Sequence, residues 1–125
     1  MDNILWIVQT LLAAAFSIAG YMKVSQPIEN LRENLGIWVE GFSHGQVKMI
    51  GIAEILGAAG LILPMYLNIS PVLTPTAAIG LAIIMIGAIT THLKLNESKP
   101  ALSNLILFIL AAFVAVGRLL ILPVI

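Results

Sequence analysis

Four apolar stretches, each close to the length of a membrane span and separated by polar connections, constrain this chain more than any other feature. They occupy residues 4–22, 47–63, 72–93 and 103–122. A helix rising 1.5 Å per residue needs ~20 such residues to cross ~30 Å of hydrocarbon. Lipid offers no partner to an unpaired backbone, so only helices and closed barrels span it, and no alternating pattern suggests a barrel. The expected fold class is all-α, a polytopic membrane protein built as a four-helix transmembrane bundle. The charges agree with this: the chain carries twelve, six of each sign, and 60% of its residues are hydrophobic. Twelve charges cannot coat a soluble globule of 125 residues, since soluble domains carry ~25% charged residues. Equal numbers of acidic and basic residues give no bulk field that would favour nucleic acid. The absence of cysteine removes disulfides, thiol relays, Cys-ligated zinc and iron–sulfur clusters from consideration. The length predicts a single domain over residues 1–125.

The connections fit four spans. Pro64 and Pro71 bracket a short turn at residues 65–70, and residues 94–100 form a polar turn whose Pro100 suits the start of the next helix. The connection between the first two spans is longer. Ile28, Leu31, Leu35, Trp38, Val39 and Phe42 recur at helical spacing, with Glu29, Asn30, Arg32, Glu33 and Glu40 on the other side. Pro27 stands at a first helical position. This pattern predicts an amphipathic interfacial helix over residues 27–39, either at the membrane surface with Trp38 at headgroup level or capping the bundle. Either two related hairpins or plain low complexity accounts for the faint likeness between the ends of the second and fourth spans, Leu63-Pro64 and Leu122-Pro123.

Basic residues set the expected orientation. Lys23, Arg32, Lys48, Lys94 and Lys99 share one side, while the opposite connections hold none. The positive-inside rule places that side in the cytoplasm and both termini outside it, in a plasma (inner) membrane. The first residues, Met1-Asp2-Asn3, carry no basic side chain, so cleavage as a signal peptide is not expected.

Ionisable groups at membrane depth are costly, from ~2.5 kcal/mol upward, and mark candidate sites. Four stand out: Lys23, Glu54, His92 and Arg118. Glu54 lies about 10 Å along the second span from its cytoplasmic end. His92 and Lys23 sit near the same end of their own spans, and the long side chain of Lys23 can snorkel. These three are expected to converge around a small cavity among the first three spans. Arg118 lies about 24 Å along the fourth span, nearer the level of Asp2, Gln9 and Thr10. It is expected either to snorkel outward or to anchor an anion or carbonyl. Gly51, Glu54, Gly57 and Ala58 share a side of the second span, where small residues admit a close neighbour. Gly80 and Gly87 in the third span read as packing positions too, whereas His44 beside Gly45 reads as a solvated loop residue.

Glu54 and His92 admit three readings. They can form an interhelical hydrogen bond that fixes register, a headgroup-binding or proton-handling pair, or part of a metal site. One carboxylate with one or two imidazoles falls short of a firm coordination shell. Haem held by two facing histidines is not expected, because only His92 borders a span. No hydrolase motif, phosphate-binding Gly-rich loop or nucleophile elbow occurs.

Taken in order, Ala19-Gly20-Tyr21-Met22-Lys23, Ile50-Gly51-Ile52-Ala53-Glu54-Ile55-Leu56-Gly57, Gly80-Leu81, Met85-Ile86-Gly87-Ala88 through His92, and Gly117-Arg118 resemble the DoxX and DoxX-like family of small four-helix membrane proteins. The resemblance covers nearly the whole chain. It implies a four-helix membrane fold and assigns the family's Lys, Glu, His and Arg positions to Lys23, Glu54, His92 and Arg118. It also implies a membrane redox complex as a partner, since the family takes its name from a small subunit of a quinol oxidase system. Three functions are compatible with these residues. The first is a non-catalytic accessory subunit binding a quinone-like or other small amphiphile beside Glu54 and His92. The second is proton-coupled transport or lipid handling by a Glu–His pair, and the third is a structural assembly subunit or homo-oligomer. No cofactor is assigned; a quinone is compatible with the first of these functions, whereas haem, iron–sulfur and zinc are not expected.

Overall fold

The apolar stretches form helices somewhat longer than their hydrophobic runs. A computed structural model describes residues 1–35 and 37–123, except the side chains of Ile28, Asn34, Leu35, Ile37 and Trp38. The expected seat of Trp38, and the parts of Ile28 and Leu35 in the apolar side of the first connection, lie outside the described residues. Helix α1 spans Asp2–Ser25, α2 spans Ile28–Leu35, α3 spans His44–Tyr66, α4 spans Leu73–Lys94 and α5 spans Ser98–Val116. A 3-10 turn at Ile37–Gly41 follows α2, and α5 ends in a π turn at Gly117–Ile121. The spans α1, α3, α4 and Ser98–Ile121 hold 24, 23, 22 and 24 residues, enough to cross hydrocarbon. Large apolar side chains such as Leu11, Ile18, Leu56, Ile83 and Ile109 are exposed on the outside. Helices apolar on all faces belong in lipid. The chain is a multi-pass, all-α membrane protein. Hydroxyls on its outer surface are satisfied within their own helices, as when Thr10 donates to Trp6 O at 2.8 Å and Thr90 to Ile86 O at 2.9 Å.

Local chemistry explains where the ends differ from the hydropathy pattern. The second span starts at His44 because Ser43-His44-Gly45-Gln46 is a capping box: Gln46 N–H donates to Ser43 Oγ, and Ser43 N–H to Gln46 Oε1. His44 is therefore a helical residue and half-buried, with Nε2 3.2 Å from Gln26 O. Pro64 lies inside α3, which continues to Tyr66, and its carbonyl accepts from Ile69 N–H at 2.9 Å. The fourth span starts at Ser98, five residues before its apolar run, with Pro100 in the first turn where its missing N–H costs nothing.

The amphipathic helix of the first connection is shorter than expected, eight residues followed by the 3-10 turn. Leu31 and Val39 are fully buried and pack with Val47, against which Met22 and Phe42 also rest. Glu29, Arg32, Glu33 and Glu40 remain exposed, and Arg32 pairs with Glu40 at 2.6 Å. The connection thus caps one end of the bundle.

In the bundle, α1 packs on α3, α3 on α4, α4 on α5, and α5 returns to α1. The core joins Leu12 and Phe16 of α1, Ala58 of α3, Leu81 and Met85 of α4, and Val114 of α5. The closest crossing is between α1 and α3: a Cβ added to Gly20 would lie 2.5 Å from Gly51 O, and one on Gly51 2.7 Å from Gly20 O. Gly60 meets Ala77 across α3 and α4 in the same way. Gly80 and Gly87 do not share this role, since a Cβ on either would meet nothing within 4 Å.

The four spans form two hairpins, α1–α3 and α4–α5. Thr74 Oγ1 donates to Gly60 O at 2.8 Å, Gly117 abuts Leu5, and Arg118 bonds Gln9 and Asp2. All of these ties lie at the end where residues 67–72 link the hairpins. Toward the other end, the end of Lys23 and His92, the hairpins part around a cavity.

Candidate functional site

Lys23 occupies the last turn of α1, and its Cβ faces Gly51, which leaves a track for the aliphatic stem. Helical side chains lean toward their own N-terminus, here toward mid-membrane. The ammonium therefore reaches inward to Glu54, Nζ to Oε1 at 2.6 Å, with the two side chains only 10% and 2% exposed. The reach of the long Lys23 side chain, which the sequence reading relied on for its convergence with Glu54, is directed inward because a buried carboxylate lies deeper on the facing helix. The Gly20–Gly51 crossing one turn away brings the two backbones close enough for this bond.

His92 ends α4 on the second hairpin and is buried. The chain reverses through Asn96, whose φ of 59° is a left-handed conformation that Asn tolerates. Glu97 N–H then donates to His92 O at 2.8 Å. That reversal carries the Glu97 carboxylate to His92 Nδ1 at 2.9 Å, so Glu97 is at once the residue before α5 and the partner of the imidazole. The structure pairs Glu54 with Lys23 and His92 with Glu97, so that in place of a Glu54–His92 pair each hairpin carries one polar pair of its own.

Lys23, Glu54 and His92 do line one cavity, of about 560 Å³. It is larger than expected and lies among all four spans rather than three, with Phe42 of the first connection also on its wall. The polar groups gather toward one end: Lys23, Glu54, Thr91, His92, Ser103 and Asn104. Deeper positions are apolar, among them Phe16, Ile84, Met85 and Leu107. Thr91 donates its hydroxyl to Gly87 O at 2.9 Å. The cavity thus offers a short polar wall above an apolar one.

Arg118 is elsewhere. Its side chain is 2% exposed and points into the bundle at the opposite end, so it neither snorkels outward nor joins the other three. Nε donates to Gln9 Oε1 at 2.8 Å and Nη1 to Asp2 Oδ1 at 2.6 Å, while the guanidinium lies 5.5 Å from the Trp6 ring centroid. Gln9 in turn donates from Nε2 to Leu61 O at 2.6 Å. Only Nη2 is buried without a hydrogen-bond partner among the described residues. Thr10, expected at this level, bonds within its own helix.

Sequence reasoning missed Glu97, Trp6, Phe42 and Asn104 as members of these clusters. Glu97 was legible only as a turn residue five positions after His92, and the left-handed Asn96 between them is what brings it back. Among the described residues, no group of three or more His, Asp or Glu is gathered in a way that could hold a metal ion.

A family model described as the DoxX-like family matches residues 7–114. This stretch includes Lys23, Glu54 and His92 and stops before Gly117 and Arg118. The chain belongs to the DoxX-like family. No curated protein and no solved structure matches it.

Proposed function

For this member of the DoxX-like family, we propose a non-catalytic accessory role in which the bundle binds one quinone-like or other small amphiphile in the cavity between its hairpins. The observation that carries the reading is the cavity itself. Its volume of about 560 Å³ falls within the ~300–1,000 Å³ of small-molecule sites, and such sites are mostly apolar with a few convergent polar groups. Lys23 and His92 supply N–H groups that suit a carbonyl or hydroxyl, while Phe16, Met85 and Leu107 suit a hydrocarbon portion. Residues 1–125 act as one transmembrane domain in the plasma (inner) membrane, with the Lys23 end cytoplasmic and a membrane redox complex or a second copy as partner. Arg118 in this reading is structural, because its bonds are made to Gln9 and Asp2.

Mass spectrometry of the protein extracted in mild detergent tests the reading. A stoichiometric amphiphile supports it; no amphiphile across several detergents refutes it. Proton-coupled uptake into liposomes that Glu54→Gln abolishes would instead favour transport. Orientation is tested by cysteine labelling: Asn68→Cys is expected to react from outside and Glu97→Cys only after permeabilisation, and labelling of both from one side refutes the topology.

A further inference from the structure

The polar wall of the cavity contains both signs of charge, and its basic groups, Lys23 and His92, each have a carboxylate partner on the same hairpin. Lys23 and Glu54 are 2.6 Å apart on the first hairpin, and His92 and Glu97 are 2.9 Å apart on the second. The Lys23–Glu54 pair sums to zero whether or not the proton moves between its members. The His92–Glu97 pair sums to zero with the imidazole protonated and to minus one with it neutral. Lys48, Lys94 and Lys99 stand at the same end of the bundle, but their side chains are exposed and none lines the cavity. Exposed charges are screened by water and salt, while charges in a low-dielectric site are not. Among the described residues, an anionic headgroup placed there would meet no cation without a carboxylate partner, with the Glu54 carboxylate on the wall itself and Glu97 held behind His92. It would also lose its hydration, at a cost that only a buried countercharge offsets.

We propose that the cavity selects an uncharged amphiphile, one whose head carries hydroxyl or carbonyl groups, and discriminates against fatty acids and acidic phospholipids. This rests on the reading of the cavity as a ligand site and adds the class of ligand. The head lies against Lys23, Glu54 and His92, with the amide of Asn104 on the α5 wall offering both a donor and an acceptor. The hydrocarbon portion runs toward Phe16, Ile84, Met85 and Leu107, deeper in the bundle.

Phe42 lines the cavity, so Phe42→Trp in a Trp6→Phe, Trp38→Phe background makes a reporter that bromine quenches on contact. The probes are dibrominated stearic acid and its monoglyceride, added to the full chain in detergent at about pH 9, where a carboxylic acid is ionised. Leu56→Trp, exposed on the outer face, reads partition into the micelle and normalises both probes. The expected result is half-quenching by the monoglyceride at a concentration at least about tenfold below that of the acid. Glu54→Gln, which leaves the Lys23 charge uncompensated, is expected to narrow that ratio by about tenfold; if that variant does not fold, Glu97→Gln tests the same charge argument at His92. Equal or stronger quenching by the acid in the unaltered site overturns the inference while leaving the cavity as a ligand site. A ratio unmoved by either variant overturns it too. Quenching by neither probe overturns the cavity reading, and the inference with it.

Discussion

The two ends of the bundle hold similar polar groups and use them in opposite ways. At the Arg118 end a guanidinium, an amide and a carboxylate join the two hairpins, since Arg118 of the second reaches Gln9 and Asp2 of the first. At the Lys23 end each hairpin satisfies its own charges, Lys23 with Glu54 and His92 with Glu97, and the space between the hairpins stays open. The difference teaches that burial of a charge in a membrane protein does not by itself mark a binding site. What matters is whether its bonds cross the gap, which closes it, or remain on one wall, which leaves the gap for something else.

The comparison can be broken most forcefully at Glu54. Glu54→Ala leaves the Lys23 ammonium buried without its carboxylate and is expected to cost about 3–5 kcal/mol, read by unfolding in mixed micelles. The double variant Lys23→Met, Glu54→Leu is expected to recover most of that stability while losing the bound amphiphile; retention of the amphiphile would remove the Lys23 end from the site. Next in size is Gln9→Leu at the other end. It removes a bond to a charged group and another to Leu61 O, for about 1.5–3 kcal/mol, with amphiphile content unchanged. Loss of the amphiphile in that variant would show that the ends are not independent. Gly20→Ala forces a methyl to 2.5 Å from Gly51 O and is expected to cost about 1–3 kcal/mol. The smallest effect has the opposite sign: Gly80→Ala meets nothing within 4 Å inside a helix and is expected to stabilise by about 0.4–1 kcal/mol. Destabilisation there would point to a helix of another molecule packed against Gly80.

The four spans and the shared location of Lys23, Glu54 and His92 were legible because lipid ties hydropathy to span and depth to helix rise. Pairing was not, because depth says nothing about which neighbour a side chain meets. Lys23 turns inward only because Gly51 leaves its stem a track, and Glu97 reaches His92 only because Asn96 adopts a left-handed φ of 59°. The same limit applies to glycine. Gly51 and Gly80 look alike in a sequence, yet the first touches a backbone and the second touches nothing. Arg118 showed the limit most clearly: its level near Asp2 and Gln9 was readable, but its inward direction follows from the π turn and the close seat of Gly117 on Leu5.

The separation in sequence of these partners has a consequence for biosynthesis. Lys23 and Glu54 are 31 positions apart, whereas Arg118 is 109 and 116 positions from Gln9 and Asp2. Chains emerge from the ribosome N-terminus first. The first hairpin can therefore bury its lysine and glutamate as a neutral pair with no help from α4 or α5. Gln9 already bridges that hairpin through Leu61 O, which leaves its carbonyl oxygen as the docking point for a residue still to be translated. Among the described residues Arg118 is then the last buried charge to emerge, and its capture adds a charged clasp between the two hairpins. Together with the Thr74–Gly60 bond and the seat of Gly117 on Leu5, that capture holds the second wall of the cavity opposite the first, at the end remote from the cavity's polar groups.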